Sequence, residues 1–322
     1  MGLKNIIKKI TCEHWNIGFI NNSIDTLIDD KDISVNWIKH QCKKSWFADP
    51  FILEVTDTEI ILLVEEFYKP IGRGRISKLT IDKSTYELKQ LDVILELPTH
   101  LSFPLIIRPN DAIASIAKSL DTEYRENTNS FVYLMPENGE SGKLYVYKYY
   151  PHNNKIKRIG SILDEAVEDA VPVQMINNIY IFCTLRDNPN GKDLSIYKWS
   201  NEKKKFTKIH SHTFEENIAR MSGSFFTYKN NLIRPTQECN IQYGHAVSLQ
   251  KVTCGGKSVL DMQELDCGTL EFKEVRRMFS NHPKLNVGMH TFNMYKGVIV
   301  TDALGFDNMW IRNSLSKFGI IH

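Results

Sequence analysis

The amino-acid sequence predicts an all-β fold, a five-bladed β-propeller of four-stranded antiparallel blades, on three observations. A pair of short apolar strands separated by a turn recurs five times. The second strand of each pair runs out into polar residues, and the strand after it alternates apolar and polar side chains with the period of two that marks a half-buried strand. Radial repetition of such sheets solves the edge problem, since each blade covers its neighbour and closure leaves little edge exposed.

The strand pairs are Asp49 to Leu53 with Ile60 to Glu66, Phe103 to Ile107 with Phe131 to Glu137, Val171 to Met175 with Ile179 to Arg186, Gly223 to Thr227 with Leu232 to Glu238, and His290 to Met294 with Val298 to Asp302. Third strands follow at Gly74 to Ile81, Gly142 to Tyr149, Lys192 to Trp199 and Tyr243 to Leu249. The blades are therefore expected over residues 36–100, 101–163, 166–215, 219–265 and 266–310 of one domain spanning 1–322. Residues 1–35 form an N-terminal segment in which Trp15 to Ile20 supply a strand that closes the ring. Residues 110–128, polar and charged, read as a loop insertion, and Gly72 to Arg75 as a turn entering a third strand.

Forty basic and 38 acidic residues leave a net charge of +2 in 322 residues, too balanced to mark nucleic acid as the partner. The six cysteines show neither CxxC spacing nor a disulfide rhythm, so reduced thiols are expected rather than a zinc site or a secreted scaffold. Residues 1–10 are Lys-rich with apolar positions at helical spacing, but lack a signal peptide's apolar run and cleavage site. They are read as a frayed or packed turn, or as a weak peripheral membrane contact. No segment is long and apolar enough to span a bilayer. A cytoplasmic location follows as the expectation.

In a propeller the starts of the first strands and the ends of the second strands converge on one mouth of the central channel. Asp49, Glu65, Glu66, Glu137, Asp169, Arg186, Arg220, Arg234, Gln237, His290 and Asp302 all occupy such positions. Each also has a purely structural reading: Asp49 as a turn or cap, Glu65 and Glu66 as a solvated strand end, His290 as a hydrogen-bonded core imidazole. Taken together they place charges around one cavity in blade after blade, which is costly unless a ligand or ion pairs satisfy them.

Trp46 to Leu53, Val64 to Phe67, Gly74 to Ser77, Met135 to Glu137, Ala219 to Gly223, Arg234 to Gln237, Tyr243 with Gly244, and His290 with Thr291 resemble the N-terminal propeller domain of plant glucosamine inositolphosphorylceramide transferases and its bacterial relatives. The architecture is more distantly similar to arabinanase- and xylosidase-type hydrolases, whose base Asp, tuning Asp and acid Glu stand in the first, third and fourth blades. That resemblance puts the base at Asp49 and the tuning residue at Asp169, although Asp169 stands two residues earlier relative to its strand proline. The acid position falls near Arg220 to Gly223, where there is no carboxylate. Hydrolysis needs an acid and a second carboxylate, and a guanidinium cannot give up that proton. Glu137 or Glu238 would have to serve from another position.

A phosphate leaving group needs no proton and is gripped by arginine forks. The resemblance thus implies a glycosyltransferase-like enzyme of surface-polysaccharide or glycolipid assembly, with a nucleotide sugar or sugar phosphate as donor and a glycan or glycolipid as acceptor. Asp49, Glu137 and Asp169 are its expected catalytic carboxylates. Glu65, Glu66, Arg75, Arg186, Arg220, Arg234, Gln237, Tyr243, His290 and Asp302 are the expected substrate contacts. The alternatives are a cytoplasmic glycoside hydrolase or phosphorylase and a non-catalytic glycan-binding propeller. No Gly-rich phosphate loop occurs and no DxD pair offers a conventional metal-held nucleotide site, so no cofactor is expected, and the one place for an axial cation is beside His290.

Overall fold

The computed structural model describes residues 12–29, 32–124, 131–263, 265–308 and 311–312. Five antiparallel sheets form the blades of a propeller. From the inner strand outward the first is Ser45–Val55, Glu59–Tyr68, Arg73–Asp82 and Leu88–Leu95, and the second is Ser102–Ile107, Val132–Glu137, Leu144–Tyr150 and Lys155–Leu163. The third blade is Val167–Met175, Asn178–Leu185, Asp193–Ser200 and Lys205–Thr213. In the fourth, Phe226–Tyr228, Asn231–Glu238 and Ala246–Cys254 are followed by Leu270–Met278, which pairs with Ala246–Cys254 as does the two-residue strand Lys257–Ser258.

Both chain ends build the fifth blade. Phe292–Tyr295 and Val298–Phe306 supply its inner half, Glu13–Ile20 and Val35–Trp37 its outer half. Glu13–Ile20 lies against Val298–Phe306 in unbroken register from Glu13 opposite Phe306 to Ile20 opposite Ile299. The closing strand expected at Trp15 to Ile20 is therefore present, and a second strand follows it.

Two blade boundaries move. Leu270–Met278 extends the fourth blade past 265, and Val35–Trp37 belongs to the fifth blade rather than the first. Outer strands face solvent, as the burial of Leu270–Met278 shows with only its two ends covered, so their patterns carry little apolar signal. The insertion at 110–128 contains a helix, Ala114–Leu120, whose Ala114, Ile116 and Ala117 are buried. Its following residue Asp121 accepts from Lys148 Nζ at 2.7 Å and Tyr133 Oη at 3.2 Å, a buried pair that pins the insertion to the second blade. Residues 1–10 lie outside the described residues. None of the six cysteines is joined in a disulfide, and among the described residues no helix is long and apolar enough to cross a membrane.

One local irregularity repeats and sets up the site. In the first three blades the inner strand carries an extra residue against its partner: Ala48 pairs Glu65 and Phe51 pairs Leu63, Ser102 pairs Glu137 and Leu105 pairs Met135, Glu168 pairs Thr184 and Val171 pairs Phe182. The bulged residue is Asp49, Phe103 or Asp169, with φ of 50°, 42° and 45°. Bulges re-aim side chains and leave a residue unpaired, and left-handed non-glycine residues persist only where the surroundings hold them. Asp49 and Asp169 are thus structural equivalents. Pro50 sits inside its bulge while Pro172 pairs beyond its own, which accounts for the proline offset in the sequence.

Candidate active site

The bulges free backbone N–H groups at the inner strands, and carboxylates from neighbouring blades accept them. Asp302 Oδ2 accepts from the amide of Asp49 at 3.0 Å, Asp49 Oδ2 from that of Phe103 at 3.0 Å, and Glu137 Oε2 from that of Asp169 at 2.8 Å. Asp169 Oδ2 takes Arg220 Nε and Gln237 Nε2, both at 2.6 Å, from the fourth blade. Ser222 Oγ donates to the His290 carbonyl at 2.6 Å and the Ser222 carbonyl accepts from Phe292 N at 2.8 Å. These bonds form a closed belt through all five blades. Buried polar groups demand such partners, and the belt supplies them with charged ones, which make the stronger bonds.

On one side of the belt His290 links two aspartates. Its Nδ1 lies 2.8 Å from the Asp302 carboxylate and its Nε2 3.5 Å from Asp49 Oδ1, while Thr291 Oγ1 donates to that same Oδ1 at 2.9 Å. Burial opposes charge on the ring, but the two carboxylates win and push His290 up to about 9. Burial raises Asp49 above the ordinary carboxylate range despite the imidazolium beside it, and Asp302, buried but held by His290 and two backbone amides, goes down. Trp15 covers His290, ring centroids 4.1 Å apart, and Tyr243 meets it edge-on at 5.3 Å. One atom each from Asp49, His290 and Asp302 lies within 4.8 Å of the others, close enough for a cation. The doubly protonated imidazole between the carboxylates already does that neutralising work.

On the other side sits an acidic trio around one guanidinium. Arg220 reaches Asp169 at 2.6 Å, Glu137 at 3.4 Å, Glu168 at 3.9 Å and Asn190 Oδ1 at 3.1 Å, with Tyr243 over its Cζ at 5.0 Å. Burial, then the neighbouring Glu168, pushes Glu137 up to about 8; burial pushes Asp169 up to about 7 although Arg220 pulls the other way. Arg186, 43% exposed, pairs Glu168 at 3.0 Å and approaches Glu140 at 3.7 Å. It passes over Gly139, where a Cβ would stand 2.7 Å from its Nη1. Gln237 Oε1 is buried without a hydrogen-bond partner.

Three expected contacts lie elsewhere. Glu66, alternating to the other face of its strand, accepts from Ser45 and Ser77 at 2.6 Å and from Arg75 at 3.0 Å; these bonds outweigh burial and hold it below its ordinary value. Arg75 is spent on Glu66 and Glu96. Arg234, fully buried, donates to Gln250 Oε1 at 2.6 Å and to the carbonyls of Ala219 and Ile218, and lies over Phe214 and Phe272. With no carboxylate near, burial lowers it to about 9. Neither Arg220 nor Arg234 therefore presents a free fork to a phosphate. Glu65 stays near the mouth, raised by burial, with His100 Nε2 3.2 Å away; Gly74 N donates to His100 Nδ1 at 3.0 Å.

Comparison with known families finds that the one described as "Glucosamine inositolphosphorylceramide transferase 1, N-terminal" matches residues 32–301. The chain belongs to this family. Glucosamine inositolphosphorylceramide transferase 1 of Arabidopsis thaliana is 26% identical over 223 residues, covering 65% of this chain and 26% of that protein, so the chain matches about a quarter of that relative's length. Among solved structures the chain is similar to a GH43_1 enzyme from Xanthomonas citri (7% identity, 81% of this chain and 87% of that one, TM-score 0.48). It is similar also to RS223-Beta-xylosidase (8%, 81% and 92%, 0.46) and to exo-beta-1,3-galactanase from Phanerochaete chrysosporium (9%, 65% and 50%, 0.43). At such identities and scores the likeness says nothing of chemistry.

The family match leaves out Trp15 and Asp302, which complete the His290 environment. Trp15, Glu168 and Asn190 were not among the expected site residues. Glu168 was legible as the neighbour of Asp169, paired with Thr184 across the strand. Trp15 carried no such signal, since its place beside His290 depends on the closure of the ring.

Proposed function

We propose that this propeller is the sugar-handling module of a glycosyl-transferring enzyme, in which Asp49 takes the proton of an acceptor hydroxyl. Family membership supports transfer, because the relative is named as a transferase. The observation that carries the reading is the Asp49 carboxylate itself. It is buried at the belt, held in a left-handed bulge, oriented by Thr291 and the Phe103 amide, and lies above the ordinary carboxylate range, as a base working near neutrality requires. His290 and Asp302 orient it from behind. The unpartnered Gln237 Oε1 is an acceptor suited to a sugar hydroxyl.

Arg186, the half-exposed guanidinium of the cluster, is the contact proposed for the phosphate of an activated donor such as a nucleotide sugar, in place of Arg220. A glycan or glycolipid would be the acceptor, and the cytoplasm, where such donors are made, the place of action.

Glu137 favours a second reading. A carboxyl pushed up to about 8 is protonated at neutral pH and suits a leaving oxygen that needs a proton, so glycoside hydrolysis or phosphorolysis is the alternative. Wild type, Asp49→Asn and Glu137→Gln are assayed by mass spectrometry with nucleotide sugars and with nitrophenyl glycosides. Transfer predicts product from a nucleotide sugar, lost by about 100-fold or more in Asp49→Asn and little changed in Glu137→Gln. Product only from glycosides, with Glu137→Gln impaired more as the leaving group worsens, replaces transfer by the second reading.

A further inference from the structure

The fourth blade carries, beside the axial cluster, a second group of residues built on Glu238 and His245. Glu238 ends the second strand of that blade and is buried; its Oε2 lies 2.5 Å from His245 Nδ1, and its Oε1 accepts from the amide of Asn240 at 2.5 Å. The carboxylate fixes the imidazole, placing the proton on Nδ1 and leaving Nε2 with no protein partner among the described residues. His245 packs edge-on against Phe279, centroids 5.3 Å apart. Phe279 is 48% exposed and Ile241, in the same loop as His245, 76%; these are the two most exposed large apolar side chains among the described residues.

The position is continuous with the axial cluster. Residues 239–245 form one loop: Tyr243 stands edge-on to His290, Gly244 accepts from Met289 N at 2.8 Å, and His245 faces outward one residue later. A Cβ on Gly244 would come within 2.7 Å of the His290 Cβ, and its φ is +59°, so this approach needs glycine. Cys239 Sγ accepts from Gly244 N at 3.4 Å, His245 N bonds the Glu238 carbonyl at 3.0 Å, and Gln242 Nε2 bonds the Val287 carbonyl. The loop is held before any ligand arrives.

We propose that Phe279 and His245 form a second subsite at the mouth of the fourth blade for a neutral sugar ring, one unit along a glycan whose end lies at Asp49. The ring's C–H face stacks on the exposed phenyl, and a hydroxyl bonds to His245 Nε2. An aromatic platform with one placed polar group is the usual make-up of such a pocket. The nearby Arg277 is taken up by Glu216 at 2.9 Å and Glu274 at 2.8 Å, and the Glu238 carboxylate stands behind His245, so the subsite takes a neutral unit rather than a phosphate. The inference rests on the axial cluster being a sugar site, and its test is chosen to fail separately.

Calorimetry measures cellotriose, chitotriose and maltotriose, and the matching monosaccharides, against wild type, Phe279→Ala, Phe279→Tyr and His245→Ala. At least one trisaccharide is expected to bind wild type, to bind Phe279→Ala and His245→Ala about tenfold more weakly, and to keep its affinity in Phe279→Tyr, while monosaccharide binding is unchanged. Phe279 is half exposed, so its truncation opens little cavity; circular dichroism checks the fold. Trisaccharide affinity unaffected by either truncation, or no trisaccharide bound by wild type at millimolar concentration, overturns the subsite. Affinity lost in Phe279→Ala alongside full turnover in Asp49→Asn keeps the subsite and removes the catalytic reading, and the reverse pattern does the opposite.

Discussion

Replacing Arg220 by Met should destabilise the protein strongly at pH 8 and much less at pH 5.5. The methionine keeps most of the stem volume, so the loss is mainly electrostatic. Arg220 is about nine-tenths buried and stands 2.6 Å from Asp169 and 3.4 Å from Glu137. Removing one partner of a buried pair leaves an uncompensated charge, worth about 3–5 kcal/mol, and a unit-charge attraction at about 4 Å and an effective dielectric of about 20 gives about 4 kcal/mol. Without the guanidinium, Asp169 and Glu137, already pushed up to about 7 and 8, rise further and are neutral at pH 5.5. There the cost should fall to that of lost hydrogen bonds, about 1–2 kcal/mol. Urea unfolding of wild type and variant at the two pH values measures both losses. Equal losses, or less than about 1 kcal/mol at pH 8, would refute the role of Arg220 as the counter-ion of the acidic trio.

Other outcomes follow from the same geometry. Wild-type stability should fall as pH rises from about 6 to 9. Asp169, Glu137 and His290 all bind their protons more tightly folded than unfolded, at about 7, 8 and 9, so the stabilisation present below their unfolded values is lost as pH climbs through the folded ones. Thermal melts across that range check the slope, and a rising melting temperature would contradict it. Trp15→Leu should lower the imidazolium pKa of His290, measured by NMR, because the ring 4.1 Å away contributes a cation–π attraction. An unchanged His290 titration in a folded variant would show that Trp15 only fills space.

The architecture was legible because inner and second strands bury both faces and read as apolar runs ending in charge. Outer strands such as Leu270–Met278 and Val35–Trp37 escaped because a solvent-facing edge gives alternation without a strong apolar signal. Asp49, Glu137, Asp169, Arg220, Gln237, His290 and Asp302 come together because their positions at strand starts and ends converge in this fold. The period of two could have separated Glu65 from Glu66, which face opposite sides of one strand. Arg234 was not legible: a guanidinium buried on carbonyls and an amide, without a carboxylate, looks in sequence like any arginine at a strand. The equivalence of Asp49 and Asp169 was hidden by Pro50 and Pro172, whose spacing follows the bulge and not the side chain.

The central claim, that Asp49 takes the proton of the acceptor hydroxyl, is tested most directly by the pH dependence of kcat/KM with whichever sugar donor the wild type uses. The account predicts an acidic limb set by Asp49 above the ordinary carboxylate range, removed with the activity in Asp49→Asn. If the donor is a glycoside, a basic limb near 8 should also appear and vanish in Glu137→Gln; a phosphate-activated donor should show no limb from Glu137. A folded Asp49→Asn protein with wild-type kcat/KM and an unchanged acidic limb would contradict the account.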